Sequence, residues 1–303
     1  PRLQDFWGLG LRPRHALGLL RSDRPVSAVF DPAEPVFRAL VEPLTVAALN
    51  TAPAEASSRL LRRIFREAWR GPGALMPLVA ERGLGPDLVE PLAEEIRRLG
   101  GRIETLRRVR GLAVAAGRVA GLDLGDETIA LGPGDGVVVA LPPAEAERVT
   151  GLSFGLAYSP IVNAHFAVEA AAWTPPRMIG VLGAAAQWVL LRGDVASVTV
   201  SAADALAEEP AEALSERLWG DVRAVLTLLG EAPPERPRAG RIVKERRATI
   251  RQTPGVKRPG AATEWPNLVL AGDWTDTGLP ATIEGALRSG ATAAAALRVK
   301  AAA

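Results

Sequence analysis

The stretch that most constrains this chain runs from residue 267 to residue 290. Asn267-Leu268-Val269-Leu270-Ala271-Gly272-Asp273-Trp274 is a short apolar run that ends in small residues and a carboxylate. Leu279-Pro280-Ala281-Thr282-Ile283-Glu284-Gly285-Ala286 then carries the proline and threonine of a helix start. The pair predicts a buried strand feeding a loop and a helix. Such a unit can hold a ligand. Gly272 lets backbone approach closely, Asp273 can accept hydrogen bonds from hydroxyl groups, and a helix from about residue 281 aims unpaired N–H groups and a positive dipole end at whatever precedes it. The same pattern also serves an ordinary strand–loop–helix packing unit.

Composition excludes several classes. With 303 residues, 48% of them apolar, the chain can bury one large core or two moderate ones. Thirty-six basic against 34 acidic residues leave a net charge of only +2, which gives no support to nucleic-acid binding. Cysteine is absent, so disulfides, thiolate metal sites and cysteine nucleophiles are excluded. Two histidines, His15 and His165, argue against a histidine-rich metal site. No apolar run reaches 18 residues and no signal peptide is evident, so a cytoplasmic protein is expected.

Taken in order, residues 1–80 read as helical and irregular. Val36, Phe37, Leu40, Val41 and Leu44 recur at helical spacing, with Pro43 expected to kink or restart the helix. Thr51-Ala52-Pro53-Ala54-Glu55 reads as the cap and first turn of the next helix, whose apolar face is Leu61, Ile64, Phe65 and Ala68. Its other side holds Arg59, Arg62, Arg63, Arg66 and Arg70, before Gly71-Pro72-Gly73 ends it. That face is either solvated or membrane-lying, and a core-packed helix with a solvated arginine face is the simpler account.

From Pro86 the pattern changes. Leu88, Val89, Leu92, Ile96 and Leu99 mark a helix stopped by Gly100-Gly101, and Arg102-Ile103-Glu104-Thr105-Leu106 reads as a strand. Short strands follow at 109–114, 118–124 and 128–131, then a fully apolar strand at 136–141 closed by Pro142-Pro143. Residues 151–262 alternate strands at 160–168, 187–191, 195–201 and 241–250 with one helix at 210–229. The basic cluster 236–258 is explained by an exposed edge strand. His165, in a strand, reads as a packed core histidine.

These motifs together resemble a known group. Gly272-Asp273-Trp274-Thr275, then Leu279-Pro280-Ala281-Thr282-Ile283-Glu284-Gly285-Ala286 and Ser289-Gly290, resemble the carboxyl-terminal flavin-binding signature of the amine oxidase and phytoene desaturase superfamily. The segment from Pro86-Asp87-Leu88 through Arg102-Ile103 and Val109 to Val137-Val138-Val139 is similar to its second flavin-contacting segment. Glu42-Pro43-Leu44-Thr45 through Asn50-Thr51, Gln187-Trp188-Val189 and Lys244-Glu245-Arg246-Arg247 are similar to its squalene-associated desaturase branch.

The resemblance implies a two-domain α/β flavoprotein with an α+β substrate domain. Residues 1–85 and 151–262 would form the substrate domain, and 86–150 and 263–303 would complete the FAD domain. The implied FAD contacts are Val109 near the adenosine, Gly272 and Asp273 near the pyrophosphate and ribityl chain, and Thr282, Ile283 and Glu284 at the helix start beneath the isoalloxazine. No metal is implied and no catalytic residue is named; Asn50-Thr51 match the branch pattern but also read as a helix cap. The implied reaction is reductive dehydroxylation of hydroxysqualene to squalene in hopanoid biosynthesis, on a hydrophobic isoprenoid substrate, with peripheral membrane contact at the inner face. A carotenoid-type desaturase and a non-catalytic fragment are the alternatives, while the single tyrosine, Tyr158, counts against an amine oxidase. One departure stands out. The superfamily's amino-terminal G-x-G-x-x-G is absent, and Gly8-Leu9-Gly10 is followed by Leu-Arg-Pro. The chain, which starts at Pro1, therefore reads as amino-terminally truncated, and on its own it is expected to bind flavin weakly or not at all.

Overall fold

The computed structural model describes residues 10–68, 78–168 and 173–302, with side chains through 297. The Gly8-Leu9 pair, Arg70, Gly71-Pro72-Gly73 and Ala303 lie outside them. Three apolar cores organise the described chain.

The largest core is built on a five-stranded antiparallel sheet. Its strands are β5 (Tyr158–Ala167), β6 (Trp173–Gly180), β7 (Trp188–Gly193), β8 (Val195–Ser201) and β9 (Ala239–Ile250), in the order β6-β7-β8-β5-β9. Register places Val162 opposite Val200, Ala164 opposite Val198 and Phe166 opposite Ala196, so alternate side chains fall on one face. Helix α7 (Ala211–Leu228) covers that face with Leu214, Leu218, Trp219, Val222 and Leu226, all buried. Pairing confirms β9 as an edge strand, and its Arg246 pairs with Glu208 of the short helix α6 (Asp204–Glu208). Strand β6 was not legible in the sequence because Pro175 and Pro176 interrupt it; its place at the opposite edge tolerates prolines. His165 is a correction: it lies on the sheet face opposite the core, exposed, with Nδ1 2.9 Å from Ser197 Oγ.

The second core is helical. It comprises α1 (Pro13–Leu20), a π-turn (Phe37–Val41) that runs into α2 (Glu42–Leu49), and α3 (Ser58–Ala68). Pro43 sits in the first turn of α2, so the restart falls where the proline forbids a continuous α-ladder. Leu49 and Leu61 are fully buried here with Val26, Phe30 and Val36. The expected cap at residue 51 is corrected. Helix α3 starts at Ser58, where Ser57 Oγ accepts from Leu60 N at 3.2 Å, while Thr51 Oγ1 instead donates to Leu49 O.

The third core joins β4 (Val137–Val139) and β10 (Leu268–Leu270), a parallel pair, to helices α5 (Pro143–Thr150) and α8 (Ile283–Ala302). An antiparallel meander, β1 (Gly111–Ala115), β2 (Arg118–Asp123) and β3 (Thr128–Ala130), flanks it. Asn267 fastens the two, its Oδ1 accepting from Val119 N at 3.0 Å and its Nδ2 donating to Val119 O at 2.8 Å. Residues 86–106 depart from expectation. Helix α4 (Glu90–Arg98), entered through a π-turn at Gly85–Val89, buries none of its residues, and 102–106 forms no strand. Alternating side chains permit an extended chain, but a strand also needs a ladder partner, and 102–106 has none among the described residues. Strand β4 is likewise less enclosed than its all-valine sequence implies, with Val138 43% exposed.

Two buried amides lock the cores to one another. Asn50, left-handed at φ 44°, donates through Nδ2 to Ser159 O and Thr249 Oγ1, both at 3.0 Å, and accepts from Ala202 N. Gln252 donates to Leu49 O at 2.9 Å and accepts from Ala281 N at 2.8 Å, linking α2 to the start of α8. Replacing Asn50 with alanine strands the Ala202 N–H and the Ser159 carbonyl in the interior. The expected cost is about 3 kcal/mol in a urea unfolding experiment.

Candidate functional site

Strands β4 and β10 run parallel, so both release their chains at the same end, and ligands of open parallel sheets sit outside the carboxyl ends of strands. A cavity of about 560 Å³ opens there. Leu141-Pro142-Pro143 from the β4 end and Gly272, Asp273 and Trp274 from the β10 end line one side, Ala286 of α8 contributes the helix wall, and Tyr158, Arg247 and Thr249 of the large sheet face them. The site therefore falls between the third core and the sheet.

The 272–279 loop is heavily determined. Gly272 has φ +146°, and a Cβ on it would enter the van der Waals shell of Trp274 Nε1. Trp274 is 1% exposed, donates through Nε1 to Leu141 O at 2.9 Å and packs on Phe154 with ring centroids 4.7 Å apart. Its indole thus ties the two strand ends together. Gly272 N donates to Ser289 Oγ at 2.7 Å, which fixes the turn to α8. Arg258 completes the frame, its guanidinium donating to the carbonyl oxygens of Asp273, Trp274, Thr275 and Leu279. A planar fork of five N–H donors suits a loop that curls its carbonyls inward. Burial lowers the Arg258 pKa, opposed by Asp276 and Asp273.

Asp273 is the charged residue of the 272–274 turn, and Glu145, Glu245 and Arg247 also line the cavity. Burial raises its pKa, while Arg258 and the main-chain N–H of Trp274 pull the other way. At the helix start, Thr282 Oγ1 accepts from Gly285 N at 3.2 Å as a cap, and the N–H groups of Ile283 and Glu284 have no acceptor among the described residues. A half-buried glycine–aspartate turn beside unpaired helix N–H groups fits a ligand with hydroxyls and an electron-rich ring edge.

The residues singled out from the sequence are distributed unevenly. Gly272 and Asp273 line the cavity. Thr282, Ile283 and Glu284 stand at the first turn of α8, whose Ala286 reaches the wall, but Glu284 Oε1 accepts from Arg288 Nε at 2.6 Å on the outer face and Ile283 is 51% exposed. Val109 lies apart from this wall, before β1, with its carbonyl near Arg148 of α5. Arg258, Trp274 and Gln252 were not read as part of the site. Arg258 was hidden in a basic cluster that otherwise belongs to a solvated edge strand, and no local pattern distinguishes it.

The model of flavin-containing amine oxidoreductases matches residues 32–298, and the chain belongs to that family. The chain is 42% identical over 268 residues to a hydroxysqualene dehydroxylase from Rhodopseudomonas palustris, and 42% identical over 263 residues to one from Sinorhizobium fredii. Each match covers 86% of this chain and 62% of the relative, so the chain spans about three-fifths of the length of these relatives. The fold is shared with cyclohexylamine oxidase from Brevibacterium oxydans, with a TM-score of 0.58 at 16% identity over 99% of this chain and 76% of that one. An oxidoreductase from Methanosarcina mazei gives a TM-score of 0.64 at 16% identity, covering 95% of this chain and 74% of that one.

Two outcomes follow from the loop. Gly272→Ala forces either Trp274 out of its bond to Leu141 or the backbone out of its turn, and is expected to cost about 3 kcal/mol in chemical unfolding. Asp273, with a raised folded pKa, binds its proton more tightly folded than unfolded. Its contribution is fully present below the ordinary value of 3.8 and is lost as pH rises through the raised value. Asp273→Asn is therefore expected to gain stability relative to wild type over that rise, read as thermal midpoints from about pH 4 to about pH 7.

Proposed function

We propose that this chain supplies the isoalloxazine seat and the substrate-binding body of an FAD-dependent oxidoreductase that removes the hydroxyl of hydroxysqualene to give squalene. The observation that carries the reading is the cavity at the joint carboxyl ends of β4 and β10, walled by Gly272 and Asp273, in a chain 42% identical to hydroxysqualene dehydroxylases. Gly272 and Asp273 would hold the ribityl side of the cofactor, and the first turn of α8 would face the ring edge. Val109 keeps its proposed place near the adenosine through backbone alone. When bound and reduced, the flavin supplies the hydride that replaces the hydroxyl at carbon.

The rest falls to protein side chains. The departing hydroxyl needs a proton to leave as water. Tyr158 and Asp273 face the cavity and both hold protons more tightly than usual, burial being the main cause in each. An apolar substrate is served by a second cavity of about 570 Å³ between the π-turn and α2 on one side and the β6–β7 loop on the other, where Val46, Val181, Leu182 and Trp188 form the wall. Gln187 holds that region in place, exchanging hydrogen bonds with Ser201 N and O at 2.8 and 3.0 Å. The domain assignment follows the same division: 1–85 with 151–262 on the substrate side, 86–150 with 263–303 on the cofactor side. A hydrophobic substrate of this kind supports peripheral contact with a membrane surface; no helix among the described residues is long and apolar enough to cross one.

The test is product analysis. The full-length protein, loaded with FAD and reduced anaerobically, is incubated separately with hydroxysqualene and with phytoene. Squalene from the first substrate and no desaturated product from the second is the expected result. Desaturation of phytoene, or turnover of neither, overturns the reading.

A further inference from the structure

We propose that the cleft between α1 and α3 docks the protein on anionic phospholipid bilayers, taking a lipid phosphate at its arginine end and an acyl segment along its apolar floor. The inference rests on two cavities that share a wall. One, of about 230 Å³, is lined by Arg59, Arg62, Arg63 and Arg66 of α3 together with Arg258 and, among the described residues, a single carboxylate, Asp276. The other, of about 460 Å³, has an apolar floor of Leu11, Leu19, Phe30 and Phe65. Arg62 and Arg66 line both. A phosphate head and an apolar chain are joined in the same sense, charge at one end and hydrocarbon at the other.

The arginines are not equally engaged. Arg59 lies 3.6 Å from Asp23 and Arg63 2.9 Å from Glu67, while Arg258 is held by the 272–279 loop. Arg62 donates only to the Leu19 carbonyl at 3.0 Å, and Arg66, exposed, has no carboxylate partner among the described residues. Among the described residues, positive charge is thus uncompensated at the junction of the two cavities.

The surrounding surface favours a bilayer over a soluble phosphate. Helix α1 turns His15, Gly18 and Leu19 inward and leaves Leu17 60% and Leu20 68% exposed beside Arg14 and Arg21. Apolar side chains ringed by guanidinium groups suit the boundary between headgroups and acyl chains, where leucine is taken out of water and arginine stays at the phosphates. A soluble phosphate would use the arginines and leave the leucines in water. The sequence pattern of α3 alone favoured a solvated face; the cleft it forms with α1 changes the balance. The isoprenoid reading above supplies a purpose for this site, but the site stands on its own geometry, and its test uses neither flavin nor substrate.

The absence of cysteine allows a clean probe. Leu20→Cys, labelled with a polarity-sensitive fluorophore, is mixed with vesicles of phosphatidylcholine alone or with about one-third phosphatidylglycerol. Leu228→Cys, at an 88% exposed position on α7, is the control. A blue shift at position 20 but not at 228, with anionic vesicles only, is expected. Co-sedimentation of the intact chain with the same vesicles should fall at least tenfold in R62Q/R66Q, a pair that removes charge while circular dichroism monitors the fold. L17S/L20S should also lose most binding while retaining every arginine. Equal shifts at both positions, binding to neutral vesicles, or undiminished sedimentation of folded R62Q/R66Q overturns the proposal. So does displacement by millimolar inorganic phosphate with no label shift, which would mark a soluble-anion site.

Discussion

The interaction on which the site depends is the gathering of four main-chain carbonyls by Arg258. A loop that leaves a buried strand must do something with its carbonyl oxygens, and between Asp273 and Leu279 they turn inward, away from water. One guanidinium satisfies them together. Its positive charge is also what makes a half-buried carboxylate tolerable at Asp273, whose burial otherwise favours the neutral form. Trp274 acts from the other direction, filling the space below the turn and bonding to the end of the neighbouring strand. The glycine at 272 follows from that indole, because no side chain fits between them.

Around this turn the molecule is held by polar joints as much as by apolar area. The three cores are largely separate sets of side chains; Asn50 and Gln252 set their relative positions, while Asn267 fastens the meander within the third. Each amide is buried with its donors and acceptors matched to distant segments, to main chain throughout except for the Asn50 bond to Thr249 Oγ1. That arrangement is sensitive to position, since an amide displaced by an ångström loses its partners and keeps its desolvation cost. It suits a protein whose cavity has one wall from one core and the facing wall from another. Outside these joints lies a contrasting surface, running from the 85–89 π-turn through α4 to residue 106, where Val89, Leu92, Ile96 and Leu106 remain exposed.

Much of the architecture was readable from pattern. The alternation of Val162, Ala164 and Phe166 against polar neighbours, the 3.6-residue recurrence of Leu214, Leu218 and Val222, and the short Leu268-Val269-Leu270 run each specify one element, and each formed as expected. Gly272 and Asp273 were also legible, because a glycine–acid turn between strand and helix is a local signal. Elements that failed were those whose definition needs a partner: 102–106 has the composition of a strand and no ladder, and Thr51 has the chemistry of a cap and a different donor to serve. Membership of the flavin-containing amine oxidoreductases agrees with the resemblance carried by the 272–290 motif.

The sequence by itself determined the local units and the family, because hydrophobic period, turn residues and the Gly-Asp-Trp-Thr word act over a few residues each. Tertiary structure alone decided that Arg258 frames the 272–279 loop rather than joining the solvated basic edge, that Gln252 spans from Leu49 to Ala281, and that Arg62 and Arg66 meet an apolar cleft. The reason is physical. Which carbonyl a guanidinium or amide finally serves depends on segments up to some two hundred positions away along the chain, as Gln252 and Leu49 are, and a one-dimensional pattern carries no record of that proximity.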